Sequence, residues 1–244
     1  MTSTRRALAS VWALLAASAL IVGCTASPGD SAPTSSADPD GGTAGIAVDG
    51  DDMDDVEAAW LDNGNMVAVL TWGSSSCVPL AGDIAAEGQT VRVTLDEGDP
   101  NTACTSDLAA RATLVDLPEG VDPTRDVEII VTLGDRTDDV DLDGNPALTR
   151  ASSDFQPTAG WFDDDALALL TWGSSSCPPV VDSVEVAGNA GTVRFVDENG
   201  ACTRDMAPRV TLIGFDDIDD DDDDAFVLTL VGGGLDGEVT VIEN

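Results

Sequence analysis

The chain has 244 residues, 43% of them apolar, and a formal net charge of -36. It contains no histidine, lysine or tyrosine, which excludes a Ser-His-Asp triad, a Cys-His pair, a Ser-Lys dyad, a Schiff-base lysine and any histidine-bearing zinc site within it. So acidic a surface repels nucleic acid and anionic lipid headgroups; no cofactor is expected, and only carboxylate chemistry is left to a catalyst.

Residues 1–23 read as a signal peptide: Arg5 and Arg6 precede the apolar run Val11 to Val22, with no acidic residue. The run is short of the ~20 residues that span a bilayer. It ends at Ile21-Val22-Gly23-Cys24, which resembles the lipobox of bacterial lipoproteins. That resemblance implies cleavage before Cys24, lipidation of its thiol and anchoring at the outer face of the bacterial cell membrane. Cysteine arithmetic agrees, because lipidation of Cys24 accounts for the odd one among five. Residues 24–56 are dominated by Ser, Thr, Pro, Gly, Asp and Ala and read as a flexible tether, with a coil span of roughly 30 Å and a reach of about 100 Å.

Beyond the tether the chain repeats itself once. Ala68-Val69-Leu70-Thr71-Trp72-Gly73-Ser74-Ser75-Ser76-Cys77 returns as Ala168-Leu169-Leu170-Thr171-Trp172-Gly173-Ser174-Ser175-Ser176-Cys177, and Trp60 returns as Trp161. Ala103-Cys104-Thr105, Asp107 and Arg111 return as Ala201-Cys202-Thr203, Asp205 and Arg209. The repeat divides the body into a first β lobe at 57–150 and a second at 151–244. A matched pair of cysteines in each copy makes Cys77 to Cys104 and Cys177 to Cys202 the economical disulfides, although four cysteines permit three pairings.

Met66 to Trp72 and Leu167 to Trp172 are apolar at every alternation, as in a strand buried on both faces. Val91 to Leu95 and Val184 to Val186 alternate like half-buried strands, with turn chemistry at Glu87-Gly88-Gln89 and Gly188 to Gly191. Further strands are expected at Arg111 to Val115, Val127 to Leu133, Arg209 to Ile213, Ala225 to Val231 and Glu238 to Ile242. The fold expected is all-β: two tandem, internally duplicated small β-sandwich lobes of immunoglobulin-like character. The Trp-Gly-Ser-Ser-Ser-Cys and Ala-Cys-Thr pattern over roughly residues 60–214 resembles uncharacterised secreted lipoproteins of GC-rich Gram-positive bacteria, a resemblance that implies no activity.

Four features could carry chemistry. The Ser74 to Ser76 and Ser174 to Ser176 hydroxyls could cradle an anion or sugar, or form structural turns. Arg92, Arg111, Arg194 and Arg209 could grip a carboxylate or phosphate; strand parity sets them away from the apolar faces, and pairing with Asp107 and Asp205 is the plainer reading. Trp60, Trp72, Trp161 and Trp172 could stack on sugars but suit core packing better. Asp139 to Gly144 opens like a calcium loop, yet its twelfth position is Arg150 rather than a glutamate; the run from Asp216 to Asp224 reads as a solvated loop, so no metal is expected.

The function expected is that of a non-catalytic, membrane-anchored envelope lipoprotein presenting a binding or scaffolding surface. Its partners would be the membrane, through lipid on Cys24, and a cell-wall or envelope protein. The alternatives are a glycan hydrolase using paired carboxylates and a calcium-stabilised adhesion module.

Overall fold

The computed structural model describes residues 43–44, 55–197, 200–216, 218 and 225–244. Cys24, the signal segment and Asp219 to Asp224 lie outside the described residues. The fold is all-β. The first copy contributes β2 (Glu57–Leu61), β3 (Met66–Gly73), β4 (Leu80–Glu87), β5 (Thr90–Asp96), β6 (Ala109–Asp116), β7 (Val127–Leu133) and β8 (Arg136–Leu142). The second contributes β9 (Thr158–Asp163), β10 (Ala166–Gly173), β11 (Val181–Ala187), β12 (Ala190–Phe195), β13 (Ala207–Gly214), β14 (Val227–Val231) and β15 (Gly237–Ile242), and β1 (Thr43–Ala44) precedes them all. No helix among the described residues is long and apolar enough to cross a membrane.

In the first copy β2, β3 and β6 form one sheet and β4, β5, β7 and β8 a second. Alternation dictates how the sheets meet. The odd residues Val67 and Val69 of β3 pack with Val91 and Val93 of β5 and with Ile129 and Val131 of β7 in one core. The second copy repeats this with Leu167, Leu169, Val193, Leu228 and Leu230. The opposite faces of the inner strands make a third core: Ala59, Leu61, Met66, Ala68 and Leu70 lie against Phe162, Ala166, Ala168, Leu170 and Leu212. The inner sheets of the two copies therefore face each other, which is why β3 and β10 carry apolar residues on both faces. Gly160 marks the tightest approach, since a Cβ there would overlap the carbonyl oxygen of Trp60.

The chain coils between inner and outer sheets in about four turns. This corrects the expectation of two immunoglobulin-like sandwich lobes: the all-β class holds, but the chain winds as a β-solenoid. An immunoglobulin sandwich is antiparallel, whereas β5 and β7 pair in parallel from Thr90↔Glu128 to Leu95↔Leu133, as do β12 and β14. The reason is the path: after β5 the chain lays β6 on the inner sheet and re-enters the outer one travelling in the direction of β5.

The copies are not equivalent at their edges. β15 pairs with β9 through Val241↔Ala159 and Ile242↔Gly160, which joins the inner and outer sheets of the second copy. β1 adds in parallel to the edge of β13, Thr43↔Leu212 and Ala44↔Ile213. No described strand adds to the matching edge of β6.

Candidate functional site

Each Trp-Gly-Ser-Ser-Ser-Cys segment leaves an inner strand, turns, and meets its disulfide. The bridges are Cys77–Cys104 and Cys177–Cys202. Within the first turn the Cys77 N–H donates to the Ser74 carbonyl at 3.2 Å, and Ser74 Oγ lies 2.7 Å from the hydroxyl of Thr105. The Thr105 N–H donates to Ser76 Oγ at 3.0 Å. Asp107 closes the cluster, accepting the Ser75 N–H at 3.3 Å and the Thr105 hydroxyl. The second turn matches it through Ser174, Ser176, Thr203 and Asp205, down to Ser74 and Ser174 each sitting 2.7 Å from their threonine. Hydrogen bonds from Ser75 and Thr105 hold the Asp107 carboxyl at about 2, and those from Thr203 and Ser175 hold Asp205 at about 2. Carboxylates that weak as bases take no proton from serine near neutral pH.

Arg111 and Arg209 are placed otherwise than expected. Arg111 is only 6% exposed and lies on the inward face shared with Thr113 and Val115. Its guanidinium donates to the carbonyls of Cys77 at 2.9 Å and Trp72 at 3.2 Å. Arg209 does the same to Cys177 at 2.7 Å and Trp172 at 3.2 Å. Gly73 exists for this contact, since a Cβ there would stand 2.5 Å from the Arg111 guanidinium carbon. Through these carbonyls both guanidinium groups staple the turn to the inner strand. Burial pushes Arg111 below its ordinary value, opposed by the charge of Glu97, and an arginine stays charged regardless. Arg92 and Arg194 face outward from β5 and β12, on the outer rather than the inner sheet, so they are not brought beside Arg111 or Arg209. Arg194 lies 4.0 Å from Glu185, an exposed pairing of small energetic weight.

The tryptophans divide. Trp60 is fully buried, with its indole N–H on the Asp143 carbonyl at 2.9 Å. Trp161 packs edge-on against Phe215 and Phe226, and Trp172 against Phe155. The calcium-like run from Asp139 falls on the edge strand β8 and the residues after it, and no described group of three acidic residues could hold a metal ion. Desolvation, with the like charge of Asp163, pushes Asp165 upward; it sits in the tight turn between β9 and β10.

Between the copies runs a groove of about 250 Å³. Its walls are Ala110 to Ala112 of β6 and Val210 to Leu212 of β13; Ser75 and Val78 border it from one serine turn, Pro178 and Pro179 from the other. Directly before the two wall strands, the matched residues Leu108 and Met206 are 58% and 60% exposed. The sequence signal for this site was the repeat itself, which keeps Thr105, Asp107 and an apolar residue in both copies; that β6 and β13 face each other was not readable from it. Comparison with known protein families, with curated proteins and with solved structures finds no match to this chain.

Proposed function

We propose that this protein is a non-catalytic lipoprotein of the bacterial cell envelope, held at the outer membrane face by lipid on Cys24, whose two lobes, 57–150 and 151–244, jointly present a binding surface. The observation that carries the binding part is the groove lined by both copies, with Leu108 and Met206 exposed directly before its wall strands β6 and β13. Exposed apolar side chains next to a cleft mark an interaction site more often than a scattered surface residue does. The serine hydroxyls are engaged with threonine and an acidic partner, without a base to activate them. The address rests on the Ile21-Val22-Gly23-Cys24 ending and on the two disulfides, which suit an oxidising compartment.

Metabolic labelling of intact cells with an alkyne fatty acid tests the address. The full-length chain should take up label and stay with the membrane, and Cys24→Ala should lose both. Release of the unlabelled native product into the medium would refute it. Photo-crosslinkers at Leu108 and Met206 in the same cells should capture one defined envelope protein, while a crosslinker on the outer face at Thr94 should not.

A further inference from the structure

Sheet edges are the places where a β protein guards itself against stray strands, usually by charge, proline or a bulge. On the outer sheets β8 carries Arg136, Asp138, Asp139 and Asp141, and both β4 and β11 are broken by register shifts. On the inner sheet of the second copy, β13 has Pro208 near its start and is joined by β1. Among the described residues β6 has no proline, register shift or added strand, and its one acidic residue, Asp116, stands at its very end. Its sequence is Ala-Ala-Arg-Ala-Thr-Leu-Val-Asp, and its one cation, Arg111, is turned inward onto carbonyls of the serine turn.

Ladder phase shows which groups this edge offers. The Leu117 N–H donates to the Asn65 carbonyl, continuing the β3–β6 register. In an antiparallel ladder the residues that bond the neighbour alternate with those whose N–H and C=O point the other way. Residues 111, 113 and 115 therefore bond β3, and Ala110, Ala112 and Leu114 turn their backbone groups to the open edge. Among the described residues no backbone hydrogen bond reaches those groups. Two of the three line the groove. The same phase on β13, set by the Phe215 N–H on the Asp165 carbonyl, turns Leu212 outward, and there β1 has added in parallel. The position in β6 that matches Leu212 is Leu114.

We infer that the groove between β6 and β13 receives an extended cationic peptide segment of a partner protein, added as a strand to the edge of β6 that no described strand occupies. This deepens the binding reading above but does not depend on the lipid anchor. Strand addition follows from an edge that no described strand fills and from the precedent of β1 on its twin. The positive charge follows from the surroundings: the Asp107 carboxylate accepts the N–H of Ser75, which lines the groove, the protein carries a net charge of -36, and the Arg111 cation is spent on the turn. A second copy of this acidic chain would meet like charge there. Apolar side chains alternating with the basic ones would meet Val78, which lines the groove and is exposed.

The test uses the full-length protein and a blocked synthetic peptide of alternating arginine and valine, read by calorimetry and by exchange of the backbone amides. Binding should weaken with added salt, and a glutamate-valine peptide should not bind. The bound peptide should slow exchange at Ala110, Ala112 and Leu114. Ala110→Pro copies the residue that the second copy already has at Pro208, so the fold should tolerate it; it removes one outward N–H and should weaken binding about fivefold or more. Binding that ignores Ala110→Pro, or protection that appears elsewhere, would overturn strand addition in favour of diffuse charge attraction. Amides at these three positions already protected in the free monomer would assign the edge to the chain's own N-terminal segment, and protection that grows with protein concentration would assign it to a second copy; either refutes a partner peptide. Loss of lipid labelling with peptide binding intact would sink the proposed address alone.

Discussion

Asp107 and Asp205 tie the serine turns to the strands that follow them, and their titration gives that tie a pH signature. A free aspartate titrates near 3.9, and these two are held at about 2 in the folded chain. With the folded value depressed, their contribution to stability is complete above the unfolded value and is lost as pH falls through the folded one. The melting temperature should therefore drop between about pH 4 and pH 2, and the Asp107→Asn, Asp205→Asn double variant should show a flatter profile there; parallel profiles would refute the assignment. Arg111 makes a different demand. Replacing it by alanine strips the buried donors from the Cys77 and Trp72 carbonyls, at about 1–3 kcal/mol for each polar group left without a partner. Urea unfolding should show that loss, and no anion should protect the wild type against it.

The disulfides and the inner strands set the next level. Cys177 and Cys202 are 25 residues apart, so the double serine variant should lose about 3.5 kcal/mol by the chain-entropy model, seen as a lower urea midpoint. Gly160→Ala should be damaging for a steric reason: its methyl overlaps the Trp60 carbonyl, and overpacking costs about 1–3 kcal/mol, measurable as a lower melting temperature. The pairing within each copy was legible because the repeat brings each cysteine back with its partner. The two-sided burial of β3 and β10 was legible too, from their unbroken apolar runs, but not what covers the second face. Strand parity misled at Arg111 because an inner sheet has no outward face: one side meets the outer sheet and the other meets the sister copy. β8 was read as half a calcium loop because an edge strand alternating aspartate with apolar residues mimics ligand spacing. The short strands β2 and β9 lacked a run long enough to declare them, and the groove joins segments about a hundred residues apart, which no local pattern reports.

Two repeats that share a central core are not two independent modules. Residues 57–150 produced alone would present Ala59, Leu61, Met66, Ala68 and Leu70 to water, and that fragment should self-associate in light scattering, whereas the whole chain should unfold in one calorimetric transition. A monomeric, well-behaved fragment would show that the shared core is dispensable. The N-terminal strand adds a mechanical consequence. Because Thr43 and Ala44 lie along β13 of the second copy, a pull from the N-terminal side does not reach β2 first. It loads the two residues paired with Leu212 and Ile213 first, so the first copy feels tension only after this fuse has opened.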